Sequence, residues 1–421
     1  MNILMLTNSY TPHVGGVARS VEQFASAFRH LGYRVVIVAP VFEGMPKYED
    51  DVIRFPALQR FNGSDFSVPL PMPGRLRSIF QNTRFDIVHS HHPFLLGDTA
   101  LRIAAMQSIP LVFTHHTSYD QYSHYVPGDS PRMKRFITKL VTGYCNLCEQ
   151  VIAPSESVAE VLRLRGVKTQ ITIIPTGVNL EIFKQAKGEV TRRMLRIPED
   201  AFVVGYVGRL TKEKNLGFLS YAVARFLESF PGAHFIVVGE GPARREIENI
   251  FMTSGLAERL HMTGIVQPPA LTSIYDAMNV FAFASRSETQ GMVLTEAMAS
   301  GVPVVALDAS GVREVVRDQR NGRLLSREDL EEFVAALASV ANLTYEEKRR
   351  VQEEVRQTAR GFSMALSARM TLALYYSLLG EKVSDKAAQS DHLGFLRRRI
   401  AREWEILRNL AHAAGDAILH P

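Results

Sequence analysis

Short runs of apolar residues recur along this chain, and most are followed by stretches in which apolar residues return every third or fourth position. A short continuous apolar run suits a strand buried on both faces, and the three-to-four return suits a helix laid over it. Residues 3–6 open the series and pass, through a loop holding Gly15 and Gly16, into a helical pattern over 18–31 that Gly32 ends. Further strands are expected at 35–39, 87–90, 111–114, 151–153 and 171–174, most of them separated by helical segments. A second series follows at 203–207, 235–238, 261–263, 280–284 and 302–306, with the polar stretch 177–200 as the connection. Such alternation predicts an α/β protein of two Rossmann-like halves, over 1–180 and 200–355, each a parallel sheet covered by helices on both faces. Ligands of open parallel sheets bind outside the carboxyl ends of the strands, so two such halves facing each other would enclose a cleft. Residues 362–379 read as one more helix. In the tail 381–421, Leu396, Ile400, Trp404, Leu407 and Ala411 fall at helical spacing with arginines between them. That amphipathic helix would dock on the body of the protein, pair with another subunit or lie at a lipid interface, docking being the first of these.

Composition narrows the class without changing the fold. A length of 421 residues fits two domains better than one core. No apolar run reaches the roughly 18 residues of a membrane span, and the first residues lack a signal peptide's charged region and cleavage pattern. A cytoplasmic protein, or one on the cytoplasmic face of a membrane, is expected. The net charge of +5 is too mild for a dedicated nucleic-acid binder but leaves room for local basic surfaces. Arg132, Lys134, Arg135 and Lys139 make one, and Arg397, Arg398, Arg399, Arg402 and Arg408 another. Cys145 and Cys148 have the spacing of a redox or metal half-site. They fall in the helical pattern 135–149, where residues three apart share a face, and no second pair completes a zinc site, so core packing is expected.

The chemistry gathers at strand ends. Glu288 lies in the loop after strand 280–284, and Glu296 on a short helix, 293–300, that Gly301 stops. The N-terminus of such a helix offers unpaired N–H groups to a phosphate, and a carboxylate on each side can accept hydrogen bonds from sugar hydroxyls. A nucleotide sugar fits, although two glutamates alone would equally suit a solvated surface. Arg209 and Lys214 follow the first strand of the second half, where two cations could stabilise the charge gathering on a departing nucleoside diphosphate. Gly15 and Gly16 permit close approach of a phosphate to backbone N–H groups. The G-x-G-x-x-G fingerprint is absent, which weighs against an NAD-dependent enzyme. His89, His91, His92, His115 and His116 crowd the ends of two strands and would serve metal ligation, hydrogen bonding to a sugar, or packing.

The stretch Ser-x-x-Glu-x-x-Gly-x-Val-x-x-Glu-Ala-Met-Ala-x-Gly-x-Pro-Val-Val, residues 285–305, resembles the E-x7-E segment of retaining glycosyltransferases of family 4, group 1. Residues 208–216 match that family's Gly-Arg-Leu-x-x-x-Lys-Asn-Leu, and the resemblance spans residues 1 to about 380. It implies the GT-B fold, two Rossmann-like domains facing a cleft, with 362–379 crossing back to the first domain. It also implies site roles: Gly16, Arg209 and Lys214 on the donor phosphates, Glu288 on the donor sugar, and Gly291, Met292 and Val293 in the donor-binding turn. Glu296 would meet the nucleotide ribose. A histidine in a Phe-x-His-Thr-like context would meet the sugar, which selects His116, with His115 as the competing assignment.

Many members read Glu-Gly-Phe-Gly or Glu-Pro-Phe-Gly where this chain has Glu288-Thr289-Gln290-Gly291, a variant that recurs among members that glucosylate lipids. Residues 91–97 and 115–127 resemble acceptor-side segments of bacterial diacylglycerol glucosyltransferases, and Arg132, Lys134, Arg135 and Lys139 follow directly, placed to meet anionic lipid. The implied activity is retaining, metal-independent transfer of a hexose, glucose from UDP-glucose, to a membrane lipid such as diacylglycerol, with no cofactor. The acceptor would attack on the face that the nucleotide leaves, the leaving phosphate taking the proton, with double displacement left open. Two alternatives stand beside it. One is a hexosyl- or mannosyltransferase for a soluble or glycan acceptor; the other is a peripheral membrane scaffold on a degenerate GT-B fold, against which the intact Arg209, Lys214, Glu288 and Glu296 argue.

Overall fold

A computed structural model describes residues 1–13, 15–58, 68–69, 83–117, 119, 130–286, 288–385 and 392–419. Ser287, residues 118 and 120–127 of the expected acceptor segment, and the side chains of Leu396 and Arg399 lie outside the described residues. The chain divides into two compact units, Met1–Pro175 with Ser367–Pro421, and Thr176–Leu366.

The first unit runs β1 (Asn2–Leu6), α1 (Gly16–His30), β2 (Arg34–Pro40), β3 (Val52–Phe55), β4 (Ala57–Leu58), β5 (Val68–Pro69), β6 (Ile87–Ser90), α2 (Leu96–Gln107), β7 (Leu111–Thr114), α3 (Pro131–Asn146), β8 (Gln150–Ala153), α4 (Glu156–Leu164) and β9 (Ile171–Ile173). Seven strands form one parallel sheet in the order β3-β2-β1-β6-β7-β8-β9. The apolar residues of β1 and β2 are buried, as strands covered on both faces require. From β1 the chain winds outward to β2 and β3, then returns to β6 on the other side. The loops after β1 and β6 therefore part at the carboxyl edge, which is where an open parallel sheet holds its ligand.

In the second unit α5 (Leu180–Phe183) and α6 (Gly188–Met194) precede β10 (Phe202–Val207), α7 (Leu216–Ser229), β11 (Ala233–Val238), α8 (Arg244–Thr253), β12 (Leu260–Gly264), α9 (Ala270–Asp276), β13 (Val280–Phe283), α10 (Met292–Ala299), β14 (Val304–Leu307), β15 (Gly322–Leu325), α11 (Leu330–Ala341) and α12 (Tyr345–Gly361). The sheet order β12-β11-β10-β13-β14-β15, parallel throughout, repeats the design, with its switch between β10 and β13. Residues 177–200, read from sequence as a polar connection, are part of this unit. Arg192 ties them down, donating to the carbonyls of Ala277 at 2.8 Å and Ala201 at 2.8 Å and to Asn279 Oδ1 at 2.8 Å.

Two further helices belong to the first unit, α13 (Met364–Asp385), from Ser367 onward, and α14 (His392–Leu419). Tyr375 and Tyr376 of α13 bond there, to His89 Nδ1 at 2.6 Å and to the Tyr33 hydroxyl at 2.9 Å. Cys145 and Cys148 are buried free thiols, and burial pushes Cys145 up to about 12 and Cys148 well above the ordinary value. Neither is poised as a thiolate. Among the described residues no helix is long and apolar enough to cross a membrane.

Candidate active site

Strands β10 and β13 lie side by side, and the loops leaving them carry the expected charges. After β10 the chain turns at Gly208 against the backbone of 239–241. Gly208 N–H donates to Val238 O at 3.0 Å, and Leu210 N–H to Glu240 O at 2.9 Å. A Cβ on Gly239 would stand 1.9 Å from Gly208 O, so glycine is what lets the two loops close on each other. The Tyr206 hydroxyl donates to Arg209 O at 3.2 Å and fixes the next residue. A 3-10 turn, Lys212–Lys214, then presents Lys214, whose Nζ donates to Glu288 Oε1 from the loop after β13. Both side chains are largely enclosed, which makes this a strong charge-assisted contact.

Arg209 is more open, with Nη2 3.5 Å from Glu213 Oε1. Burial would raise the Glu213 carboxyl, but the Thr211 hydroxyl, its own backbone N–H, Arg209 and Lys214 together hold it below the usual range. Glu213 thus stays ionised between two cations. Its position inside the quoted 208–216 motif was the only signal for it in the sequence.

Beyond Glu288 the loop is held by Gln290, which sequence reasoning left without a role. Its Oε1 accepts from Thr176 N–H at 2.6 Å and its Nε2 donates to Thr176 O at 2.6 Å, the whole side chain being buried. The amide of Gln290 therefore pairs with the backbone of Thr176 as a neighbouring strand would. Gly291 follows with φ 70°, the left-handed conformation that turns the chain into α10. No side chain caps α10, so its first turn presents the amides of half-buried Met292 and Val293, with the positive end of the helix dipole behind them. One turn on, Glu296 is buried, and its Oε2 accepts from the Tyr275 hydroxyl at 2.9 Å. Tyr275 comes from α9, too distant in sequence for any local pattern to connect the two.

In the first unit three of the strand-end histidines, His89, His91 and His116, lie ring to ring. His89 and His91 lie 4.2 Å apart by ring centroid, and His91 and His116 are stacked at 5.2 Å with a 2.9 Å contact between Nδ1 of His91 and Nε2 of His116. His89 is bonded on both sides, to Thr114 Oγ1 at 2.7 Å and to Tyr375. His92 Nδ1 accepts the Asn8 N–H at 3.0 Å, which leaves the proton on Nε2. Of the two candidates for the donor sugar, His115 is buried between Phe113 and Tyr119, while His116 is half-buried. Among the described residues no group of three or more His, Cys, Asp or Glu is placed to hold a metal ion. Gly16 begins α1, and a Cβ there would meet nothing within 4 Å. The helix entrance is open.

Burial holds His89 and His92 at about 3, and burial followed by the neighbouring imidazoles holds His91 and His116 well below the ordinary value. These groups stay neutral in the folded protein but protonate near 6.5 once unfolded. Between about 6.5 and 3 the unfolded chain binds more protons, so stability falls as pH falls, by about 1.4 kcal/mol per pH unit for each such histidine. The urea midpoint is expected to be flat above about pH 7 and to drop steeply from there towards pH 4. A midpoint unchanged across that window would show that the imidazoles are not held neutral.

The basic helix α3 starts cleanly, with the Ser130 hydroxyl accepting from Met133 N–H at 3.2 Å and Pro131 in the first turn. Arg132, Lys134 and Lys139 are exposed, Lys139 standing 3.6 Å from Asp416. Arg135 departs from the expected set. It is half-buried, with Nε and Nη2 enclosed and unbonded, so it does not share the open surface of the other three.

Residues 14–182 match the model of Glycosyltransferase Family 4, and residues 188–358 that of Glycosyl transferases group 1. The chain is a family 4 glycosyltransferase. D-inositol 3-phosphate glycosyltransferase of Kribbella flavida is 30% identical over 315 residues, 72% of this chain and 73% of that protein. Alpha-monoglucosyldiacylglycerol synthase of Acholeplasma laidlawii is 29% identical over 344 residues, 78% of this chain and 86% of that protein. Sucrose-phosphate synthase from Thermosynechococcus elongatus shares the fold with a TM-score of 0.73 at 21% identity, over 90% of this chain and 99% of its own. The two parallel-sheet units are those of a GT-B glycosyltransferase, and Lys214, Glu288 and the start of α10 meet at the edge of the group 1 unit.

Proposed function

We propose that this glycosyltransferase moves glucose from UDP-glucose to a membrane lipid such as diacylglycerol, with retention at the anomeric carbon and without a metal ion. The observation that carries the reading is the Lys214–Glu288 pair beside Arg209 and the open first turn of α10. A diphosphate seated on the amides of Met292 and Val293 would meet two cations, and a sugar hydroxyl would take the place of Lys214 at Glu288. Glu296, one turn deeper, is the carboxylate for the ribose. As the glycosidic bond breaks, the electron pair goes to the leaving phosphate, where charge then exceeds that of the ground state. The same phosphate oxygen is the base for the incoming hydroxyl, which attacks from that face. His116, neutral and half-buried, is the imidazole suited to hydrogen-bond the sugar.

Likeness to the Acholeplasma laidlawii synthase supports the lipid acceptor, and exposed Arg132 and Lys134 on α3 support contact with anionic lipid. The Kribbella flavida relative supports a soluble acceptor instead. The deciding experiment incubates the enzyme with UDP- and GDP-sugars and either diacylglycerol in mixed micelles or soluble acceptors, and identifies the product and its anomer. An α-glucosyl lipid formed from UDP-glucose is expected. Product on a soluble acceptor alone would overturn the lipid reading.

Activity is expected to survive exhaustive chelation, because two cations and a helix N-terminus neutralise the pyrophosphate. Loss of turnover with EDTA, restored by a divalent ion, would overturn the metal-independent mechanism.

A further inference from the structure

Helix α14 rests on α3 and α2 through its polar side. Arg102 of α2 holds Glu403 with bonds of 2.6 and 3.1 Å. Arg402 donates to Leu147 O at 3.0 Å, closing the end of α3, and Asn409 donates to Leu140 O at 3.1 Å. The Asn409 amide also fills the space over Gly143, where a Cβ would lie 1.6 Å from its Oδ1. Together with the Lys139–Asp416 pair, these contacts run in opposite senses along the two helices, so α14 lies antiparallel to α3. Residues 402, 406, 409 and 413 recur every three or four positions and mark the inward line, with Ile406 packed on the core and Ala413 buried.

The apolar line at 400, 404, 407 and 411 therefore faces away. Ile400 is 67% exposed, Trp404 66% and Leu407 57%. The helix does dock on the first unit, the first of the three fates its amphipathic pattern suggests, but through the side opposite the apolar line. Arg397 and Arg408, seven residues before Trp404 and four after it, share the outward side and are exposed. The helix's three carboxylates are all turned to cations, Glu403 to Arg102, Glu405 to Arg402 at 3.2 Å, and Asp416 to Lys139. Among the described residues the outward side carries apolar groups and arginines, with every acid neutralised beside it.

We propose that this outward face of α14 is a docking surface for an anionic lipid bilayer. The helix lies in the membrane plane with Ile400, Trp404 and Leu407 at the boundary between headgroups and acyl chains, and Arg397 and Arg408 on lipid phosphates. Charge selects this occupant over a second copy of the chain, since pairing two stripes would bring like arginines together, whereas a surface of anionic lipid attracts them. The inference deepens the lipid-acceptor reading and rests on it.

Trp404 is the only tryptophan in the chain, so its emission reports this face alone. Full-length enzyme is titrated with vesicles of phosphatidylglycerol and phosphatidylcholine, and with phosphatidylcholine alone. A blue shift is expected with the anionic vesicles and a weaker one without the anionic lipid, the difference shrinking as salt is raised. Replacing both Ile400→Ser and Leu407→Ser should weaken partition by about tenfold or more while melting temperature and nucleotide-sugar binding stay as in the wild type. Replacing Arg397→Glu and Arg408→Glu should reduce the preference for anionic vesicles, and an unchanged preference would take these arginines out of the docking surface. No shift at saturating anionic lipid would overturn the proposal, as would a shift that follows protein concentration without vesicles, the mark of self-association. The two readings separate cleanly. Trp404 entering vesicles with no lipid product would refute the acceptor assignment alone, and lipid product from micelles with Trp404 silent on vesicles would refute the docking surface alone.

Discussion

Lys214→Ala should lower kcat by about two to three orders of magnitude while changing KM for the donor much less. The reason lies in where the charge is. In the absence of donor, Lys214 is satisfied by Glu288, both side chains being largely enclosed. Ground-state binding of a nucleotide sugar there would exchange that partner for another of similar charge, so little affinity would be at stake. On the proposed mechanism the bridging phosphate oxygen would gain, in the transition state, negative charge that the resting pair never presents, and the lysine's stabilisation would grow with it. Arg209, more exposed and shared with Glu213, should show the same pattern at smaller amplitude. Glu288→Gln keeps the size of the side chain but removes its charge, and turnover should fall without loss of fold. The check is steady-state kinetics with saturating acceptor. A loss confined to KM would take Lys214 out of the chemical step.

Gly239→Ala should be the most damaging single-methyl change near the site, costing about 3 kcal/mol of stability and most of the donor affinity. The new Cβ would stand 1.9 Å from Gly208 O, and φ at Gly239 is 137°, so both the contact and the backbone resist it. Relief requires moving the 208–210 loop, and Arg209 moves with it. Gly16→Ala is the matched control, since a Cβ there meets no protein atom within 4 Å. That variant should melt as wild type, yet bind donor more weakly if a phosphate approaches the start of α1. Melting curves with and without UDP-glucose measure both. Equal stability in the two variants would remove the packing argument at Gly239.

The central strands were legible because each is buried on both faces and so written as an unbroken apolar run. β6 and β7 fall on the expected residues, and β1, β2 and β8 extend one residue further at one or both ends. The edge strands β3 and β15 escaped because each includes an arginine, Arg54 and Arg323, tied by ion pairs to Glu49 and Asp318. Lys214 and Glu288 could each be placed at a carboxyl edge from sequence, but their pairing depends on β10 and β13 being neighbours, which is a fact of strand order. Gln290 and Tyr275 were invisible for the same reason, since their partners lie 114 and 21 residues away. The tail shows a different limit. Periodicity says that a helix has an apolar side, but not which way that side looks, and here Arg402 and Asn409 decided the orientation by finding backbone carbonyls on α3.

The pairing of Gln290 with Thr176 bears on how this enzyme could be recombined with its relatives. Thr176 is the first residue of the second unit, and Val178 N–H donates to Phe362 O at 2.7 Å while Met364 N–H donates to Val178 O at 2.9 Å. The outgoing and returning stretches of chain are thus stitched to each other and, through Gln290, to the loop that carries Glu288. A chimaera spliced inside 177–200, the stretch that looks like a dispensable connection, would separate Gln290 from its own backbone partner or divide α5 and α6 from the sheet they support. Junctions at Pro175 and after Leu366 move the second unit as one intact cassette.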